Sequence, residues 1–286
     1  MDYNKKLGAD IRNALKEDIG RRDITTELAI PLNKIVKAAL VAREDCVVCG
    51  LEIARLVLQI KDKGIKFKAM TCDGEFVKKG RSIARIQGRA RSILTAERVM
   101  LNYICLLSGI ATKTRQYVKA VKPYKPKIVD TRKTIPGLRQ LEKYAVRTGG
   151  GFNHRMHLDE MVLIKDNHLQ ALGGFRGVER LLRQTPSRRY KIELEVENLK
   201  ELKDALILNP DIIMLDNMAT EEIKKAVTIR NKFSLSRSDP RPKLEASGGI
   251  TLSNIKQIAS CGVDMISVGA LTHSVESIDI SLEFNG

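Results

Sequence analysis

The sequence predicts an α/β chain in two parts, on three observations. From Lys127 onward short apolar runs alternate with amphipathic helical stretches in six βα units, a pattern that builds a parallel sheet with right-handed crossovers. Each run delivers charged, hydroxyl or glycine residues at its C-terminal end, where parallel α/β folds bind ligands. Before Lys127, strands and helices follow one another without regular alternation, which marks a separate α+β domain.

In chain order, residues 7–18 are the first expected helix, because Leu7, Ile11 and Leu15 recur at helical spacing and Ile19-Gly20 ends it. Residues 35–43 and 46–51 read as strands and 53–61 as a helix. Short strands follow at 66–72, 76–77 and 83–87, with turns at Asp73-Gly74 and Lys79-Gly80. A helical pattern runs through Leu94, Arg98, Leu101, Cys105 and Ser108 until Gly109 interrupts it. Ile110, Thr114, Tyr117, Val118 and Val121 carry the next helix as far as Pro123. Parallel strands are expected at 127–131, 161–165, 191–197, 211–215, 243–247 and 264–268, with helices at 138–146, 178–183, 199–208, 221–230 and 252–261 between them. Functional groups at every strand end, rather than at one switch point, favour a ring closed around one centre. Residues 275–284 alternate as a strand that returns to the first domain, and residues 233–242, rich in Ser, Arg and Pro, read as a mobile loop. The expected domains are therefore 1–109, rejoined by 275–286, and 110–274.

An apolar fraction of 43% over 286 residues is ample for packed cores. No run approaches the ~20 apolar residues of a membrane helix, and charge throughout Met1 to Gly20 argues against a signal peptide. The expectation is a cytoplasmic enzyme or binding protein with no membrane partner. A net charge of +16 attracts nucleic acid, anionic membranes or small polyanions. The basic residues are scattered, and aromatics make up only 4% with no Trp, leaving few platforms for stacking bases. Phosphates and carboxylates therefore rank above nucleic acid as partners. The five cysteines include a single CxxC pair, Cys46 and Cys49, with no second pair to complete a zinc site; they read as buried structural cysteines in a reducing compartment.

The chemistry concentrates between Asp130 and Leu169. One apolar run ends in Asp130-Thr131-Arg132-Lys133, the next in Lys165-Asp166-Asn167-His168, and Gly149-Gly150-Gly151-Phe152-Asn153-His154-Arg155 lies between them. Gathering Arg132, Lys133, His154, Arg155 and Lys165 is repulsive, and burying such charges is costly unless an anion arrives. The group anticipates a ligand with more than one negative charge, unless each cation pairs with a surface carboxylate. His154 taken alone also reads as a structural histidine. Glu193, Glu195 and Glu197 alternate with apolar residues and share one strand face, and Asp216 ends the next strand. Such carboxylates hold Mg²⁺ on a diphosphate, stabilise a developing cation, or balance neighbouring cations in an ordinary ion-pair network. Ser247-Gly248-Gly249 and Val268-Gly269-Ala270 follow strands in two successive late units. Backbone N–H groups at such turns bind phosphate, although glycine also serves simple tight turns.

Longer motifs cover nearly the whole chain in order: EDIGRRDITTE (17–27), LTAERVMLN (94–102), LSGIAT (107–112), DTRKTIPGLRQLEKYAVRTGGG (130–151), NHR (153–155), LIKDNH (163–168), IMLDN (213–217), ASGGI (246–250) and ISVGALTHS (266–274). In these the chain resembles the quinolinate phosphoribosyltransferase family. The resemblance implies an N-terminal α/β sandwich domain plus an incomplete parallel α/β barrel of the TIM-like kind. It implies phosphoribosyl transfer from phosphoribosyl pyrophosphate to quinolinate with loss of CO₂, a requirement for Mg²⁺, and a homodimer or larger assembly whose site is shared across the interface. Arg132, Lys133, His154, Arg155 and Lys165 would hold the two carboxylates of quinolinate, with Arg98 reaching in from the neighbouring subunit. Glu195 and Asp216 would be the catalytic acidic pair near the ribose, meeting the metal directly or through phosphoribosyl pyrophosphate, while Lys133 and Lys165 steady the leaving group. Ser247, Gly248, Gly249 and Gly269 would take the 5′-phosphate, with His273 close by. Arg22, Cys46 and His157 stand where the family has glycine, all outside these contacts. The molybdenum-transport-associated ModD proteins share the fold and a TRK-type motif but differ in the glycine and LIKDNH regions.

Overall fold

A computed structural model describes residues 3–184, 190–233 and 241–285. The chain divides into two units: Met1–Lys113, Thr148–Gly150 and Val275–Gly286 make the first, and Thr114–Arg147 and Gly151–Ser274 the second. Residues 234–240 of the expected loop lie outside the described residues.

The first unit begins with α1 (Tyr3–Ile19) and α2 (Ile24–Ala29). Asp23 caps α2 by accepting the Thr26 N–H at 3.0 Å. There follow β1 (Ile35–Ala42), β2 (Cys46–Val47), α3 (Leu51–Lys61), β3 (Lys66–Ala69), β4 (Phe76–Val77), β5 (Ser82–Arg89) and α4 (Ala90–Ala120). The strand expected at 46–51 stops at Val47 for a local reason. Gly50 takes a φ of +105°, open to glycine alone without strain. The Asp73 carboxylate then accepts the N–H groups of Gly50 and Leu51 at 2.9 and 3.1 Å, which starts α3. Cys46 and Cys49 are buried, and burial pushes the Cys46 thiol up to about 11 and the Cys49 thiol higher still. Neither is an activated nucleophile.

Gly109 does not break the long helix, contrary to its reading in the sequence. A β-carbon there would lie 2.3 Å from the Glu276 carbonyl oxygen, so the glycine admits a close backbone approach within an unbroken α4. By length and composition α4 could cross a membrane, but more than half of that stretch is buried inside the protein. It is better described as a core helix, with Ile93, Met100, Ile104, Leu107 and Ile110 fully buried.

The second unit contains β6 (Lys127–Val129), α5 (Arg139–Thr148), β7 (Met161–Ile164), α6 (Asp166–Leu172), α7 (Phe175–Gln184), β8 (Lys191–Val196), α8 (Leu199–Leu208), β9 (Ile212–Asp216), α9 (Thr220–Lys232), β10 (Lys243–Ser247), α10 (Ile255–Ser260), β11 (Met265–Ser267) and α11 (Ala270–His273). Its six strands form one parallel sheet in the order β6-β11-β10-β9-β8-β7. Among the described residues β6 and β7 are the two edges. The closed ring is thus corrected to an incomplete one, with a single parallel bridge from Val129 to Phe152 where a further strand would add to β6. The last strand, β12 (Ile280–Asn285), pairs antiparallel with β1, giving the first unit a sheet of order β12-β1-β5-β3. Together these sheets bear out an α/β chain in two parts.

Register decides which side chains share a face. Glu195 lies beside Met214, Met214 beside Glu245, and Asp216 beside Ser247. Side chains alternate along each strand, so Glu193, Glu195, Asp216, Glu245 and Ser247 all project from one face of the sheet. The opposite face carries Leu194, Val196, Ile213, Leu215, Leu244 and Ala246, all buried. The connecting helices bury Leu202, Leu206, Ile223, Ala226, Ile255 and Ile258, as crossover helices over an apolar sheet face must. The polar face is left as the interior of the partial barrel.

Candidate active site

The turn that carries the Asn-His-Arg triplet is anchored from below by a buried ion pair. Asp130 follows β6 and Lys143 lies on α5, and neither side chain is exposed to solvent. Lys143 Nζ bonds Asp130 Oδ1 and also donates to the carbonyls of His154 and Arg155 at 2.9 and 3.2 Å. Asp130 in turn accepts the His154 N–H at 2.9 Å. Burial pushes the Asp130 carboxyl up and the Lys143 ammonium down, and their mutual contact opposes both shifts. The sequence does not single out Lys143, which stands among exposed-looking charges on α5.

His154 points into the sheet interior. Its Nε2 lies 3.1 Å from Glu193 Oε2 and 3.6 Å from Glu245 Oε2. Glu193 on β8 and Glu245 on β10 thus reach one ring nitrogen from either side of β9. Nδ1 accepts the Arg155 N–H at 2.8 Å. Burial pulls the imidazole pKa down, but Glu193 and Glu245 outweigh it and the net direction is up. The Arg155 N–H points at the Nδ1 lone pair, and in this geometry that favours carrying the ring proton on Nε2. Glu245 was not among the expected site residues, although Lys243, Glu245 and Ser247 alternate with apolar residues as Glu193 and Glu195 do. That alternation is the signal that could have found it.

Around this floor stand the expected cations. Arg155 Nη1 donates to the Met161 carbonyl at 3.0 Å. Burial, then the like charge of Arg132, lowers the Arg155 pKa, against a smaller opposing pull from Glu193. Arg132 Nε is buried with no hydrogen-bond partner. Lys165, just past β7, donates to Glu195 Oε2 at 2.9 Å. Among the described residues, Arg132, Lys133 and Arg155 form no ion pair with any carboxylate, so general pairing with surface acids does not account for the group.

The glycine turns at the late strand ends are fixed by close approaches. Gly248 has a φ of +84°, and a β-carbon on it would fall 2.1 Å from Asn217 Oδ1. Asn217, itself at a φ of +53°, donates its N–H to the Ser247 carbonyl at 2.9 Å, and its side-chain amide donates to Asp216 Oδ2 at 2.7 Å. Asp216, Asn217, Ser247 and Gly248 are thereby interlocked; Asn217 was not foreseen. Gly249 follows at a φ of +59°. A β-carbon on Gly269 would meet the His273 ring at 3.1 Å and Lys133 Cδ at 3.4 Å, so these three also come together. Glu197, the third glutamate of the run, lies past the end of β8 and is exposed, its N–H donating to Glu201. Arg98 is exposed on α4, within the first unit.

The arrangement is a rim of arginines and lysines over a carboxylate-lined face, with glycine turns at its late strand ends. It can hold a polyanion beside groups that stabilise positive charge. Two family models match the chain: the quinolinate phosphoribosyl transferase N-terminal domain over residues 23–108 and its C-terminal domain over residues 110–283. A probable carboxylating nicotinate-nucleotide pyrophosphorylase from Methanocaldococcus jannaschii is 44% identical over 284 residues, covering 99% of this chain and 97% of that protein. Its counterpart from Synechocystis is 43% identical over 269 residues, covering 94% and 89%. The solved nicotinate-nucleotide pyrophosphorylase of Francisella tularensis superposes with a TM-score of 0.91 at 41% identity, covering 100% of this chain and 98% of that one. With both domains matched and the likeness running end to end, the chain belongs to the quinolinate phosphoribosyltransferase family.

Proposed function

We propose that this chain transfers the phosphoribosyl group of phosphoribosyl pyrophosphate to quinolinate, yielding nicotinate mononucleotide, pyrophosphate and CO₂. One observation carries the reading within this family. Among the described residues neither Arg132 nor Arg155 forms an ion pair with a carboxylate, each feels the other's like charge, and the Arg132 Nε is buried and unbonded. Two such groups match a planar diacid, which guanidinium forks grip bidentately. Lys133 and Lys165 add charge at the neighbouring strand ends, and His154 lies beneath.

The chemistry follows from where charge develops. As the quinolinate ring nitrogen bonds to the ribose C1, the C1–pyrophosphate bond breaks and positive charge appears at C1. Glu195 and Asp216, on adjacent strands and the same sheet face, stabilise that charge. The C2 carboxylate then leaves as CO₂, its bonding pair stays on the ring carbon and relieves the pyridinium nitrogen, and the carbon takes up a proton. Ser247, Gly248, Gly249 and Gly269 cradle the 5′-phosphate with backbone N–H groups, with His273 alongside. Mg²⁺ fits the donor set: Glu195 and Asp216 offer oxygens, Asp216 is partly exposed, and this cation commonly takes one or two carboxylates together with substrate phosphates. When bound it neutralises charge on the departing pyrophosphate. Arg98 belongs in this reading to the site of a second copy, which makes the working enzyme a homodimer or a larger assembly.

The direct test is pyrophosphate release by purified protein. It should require quinolinate, phosphoribosyl pyrophosphate and Mg²⁺ together, and a folded preparation that releases none under those conditions would reject the reading.

A further inference from the structure

Glu193 and Glu245 are both fully buried on the inner face of the sheet. None of their carboxylate oxygens, nor the His154 Nε2 between them, has an aligned hydrogen bond among the described residues, so what joins the three is close electrostatic approach. An uncompensated buried carboxylate is costly, so two of them facing one ring call for a reason. Both converge on His154 Nε2, at 3.1 and 3.6 Å, while the far edge of the same ring accepts the Arg155 N–H through Nδ1. The partner of one imidazole nitrogen sets the proton on the other.

We propose that Glu193 and Glu245 are positioning residues for the acid-binding half of the site: they hold the His154 ring as its Nε2–H tautomer, which leaves Nδ1 free to fix the Arg155 main chain. The inference rests on the reading that Arg155 meets quinolinate. Placement then passes from Glu193 through the His154 ring to the Arg155 backbone, and the Met161 carbonyl secures the guanidinium at the other end. In the opposite tautomer Nδ1–H would face the Arg155 N–H, donor against donor, and the turn would have to shift. Glu245 is suited to a supporting part. Burial, and then the neighbouring Glu193, raise its carboxyl pKa, which eases the repulsion that two carboxylates facing one ring would otherwise meet.

The test uses the full-length enzyme with Glu193→Leu, and with Glu193→Gln, which keeps an acceptor oxygen. The leucine variant should raise the KM for quinolinate by about tenfold or more. The KM for phosphoribosyl pyrophosphate should stay within about twofold, and glutamine should rescue most of the loss. Nitrogen-15 spectra of histidine-labelled protein, with the His154 signal assigned through His154→Gln, should show the Nε2–H form in wild type and a tautomer mixture in Glu193→Leu. A parallel rise in both KM values, or an unchanged quinolinate KM, overturns the proposal. Should the leucine variant fail to fold, the wild-type spectrum decides, and an Nδ1–H tautomer there refutes it. The ligand atoms of His154, Glu193 and Glu245 lie within 4.8 Å of one another. A stoichiometric divalent metal in protein purified without added metal, lost in Glu245→Gln, would therefore also overturn it. The spectrum does not depend on turnover, so an inert wild type would sink the assigned reaction and leave the tautomer question standing.

Discussion

Replacing Lys143 with methionine isolates the support under the turn that carries His154 and Arg155. Methionine keeps the unbranched apolar stem and removes the ammonium. In its place Asp130 keeps the His154 N–H at 2.9 Å, and the His154 and Arg155 carbonyls lose the donor at 2.9 and 3.2 Å. Breaking a fully buried ion pair from one side costs about 3–5 kcal/mol. Because burial already drives both partners toward their neutral forms, the lower end of that range is expected. At about 2–4 °C per kcal/mol for a protein of this size, the thermal midpoint should fall by roughly 6–12 °C. The KM for quinolinate should rise more than that for phosphoribosyl pyrophosphate, since the loosened carbonyls belong to His154 and Arg155. Asp130→Asn combined with Lys143→Met should be more stable than Lys143→Met alone, because no buried charge is left without a partner. Scanning calorimetry and initial-rate kinetics on the three proteins check this. A midpoint within about 2 °C of wild type in Lys143→Met, or a double variant less stable than either single one, would refute the reasoning.

Nicotinate, one carboxylate short of quinolinate, should be used with a kcat/KM at least about a hundredfold lower, because part of the cation group would stay unpaired; comparable rates with both acids in a pyrophosphate-release assay would count against the diacid site. Gly248→Ala should raise the KM for phosphoribosyl pyrophosphate about tenfold or more, since a positive φ costs about 1–2 kcal/mol in a residue with a β-carbon and Asn217 would have to move as well. Glu142 is fully buried and burial lifts its pKa from an ordinary 4.5 to about 7. Its contribution to stability is therefore complete below pH 4.5 and declines as the pH rises through about 7. Thermal midpoints measured from pH 5 to pH 8 should fall less in Glu142→Gln than in wild type. Mixing Arg98→Ala with Lys165→Ala subunits, each inactive alone, should restore roughly a quarter of the wild-type rate if each site borrows Arg98 from a second copy; no recovery after subunit exchange would rule out sharing.

The parallel strands could be read from the sequence because a strand buried on both faces shows as a short apolar run, and the charges just past each run mark the ends that face a ligand. Thus β8 and β10 were placed within a residue of their ends, and Arg132, Lys133 and Lys165 fell where cations at strand ends should. What escaped depends on partners distant in sequence. Gly109 looks like a helix breaker until the Glu276 carbonyl lies against it. Lys143 reads as one more surface lysine, for nothing in helical spacing says that Asp130 waits beneath it. Ring closure was overestimated because charge at strand ends does not reveal which strands pair, and only the register shows β6 and β7 to be edges. Asn217 left a faint trace, being of the residue type that best tolerates a left-handed backbone after glycine.

The pairing of β1 with β12 has a consequence for synthesis. Lys37 meets Asn285 and Ala42 meets Ile280, so one edge of the first sheet is completed only by a strand made more than 200 residues later in the chain. At typical elongation rates the unfinished edge is exposed for about 10–50 s. During that time its backbone groups can template a strand from another nascent chain. Deleting β12 would make this temporary hazard permanent, and the first symptom should be aggregation during expression, ahead of any loss of catalytic rate.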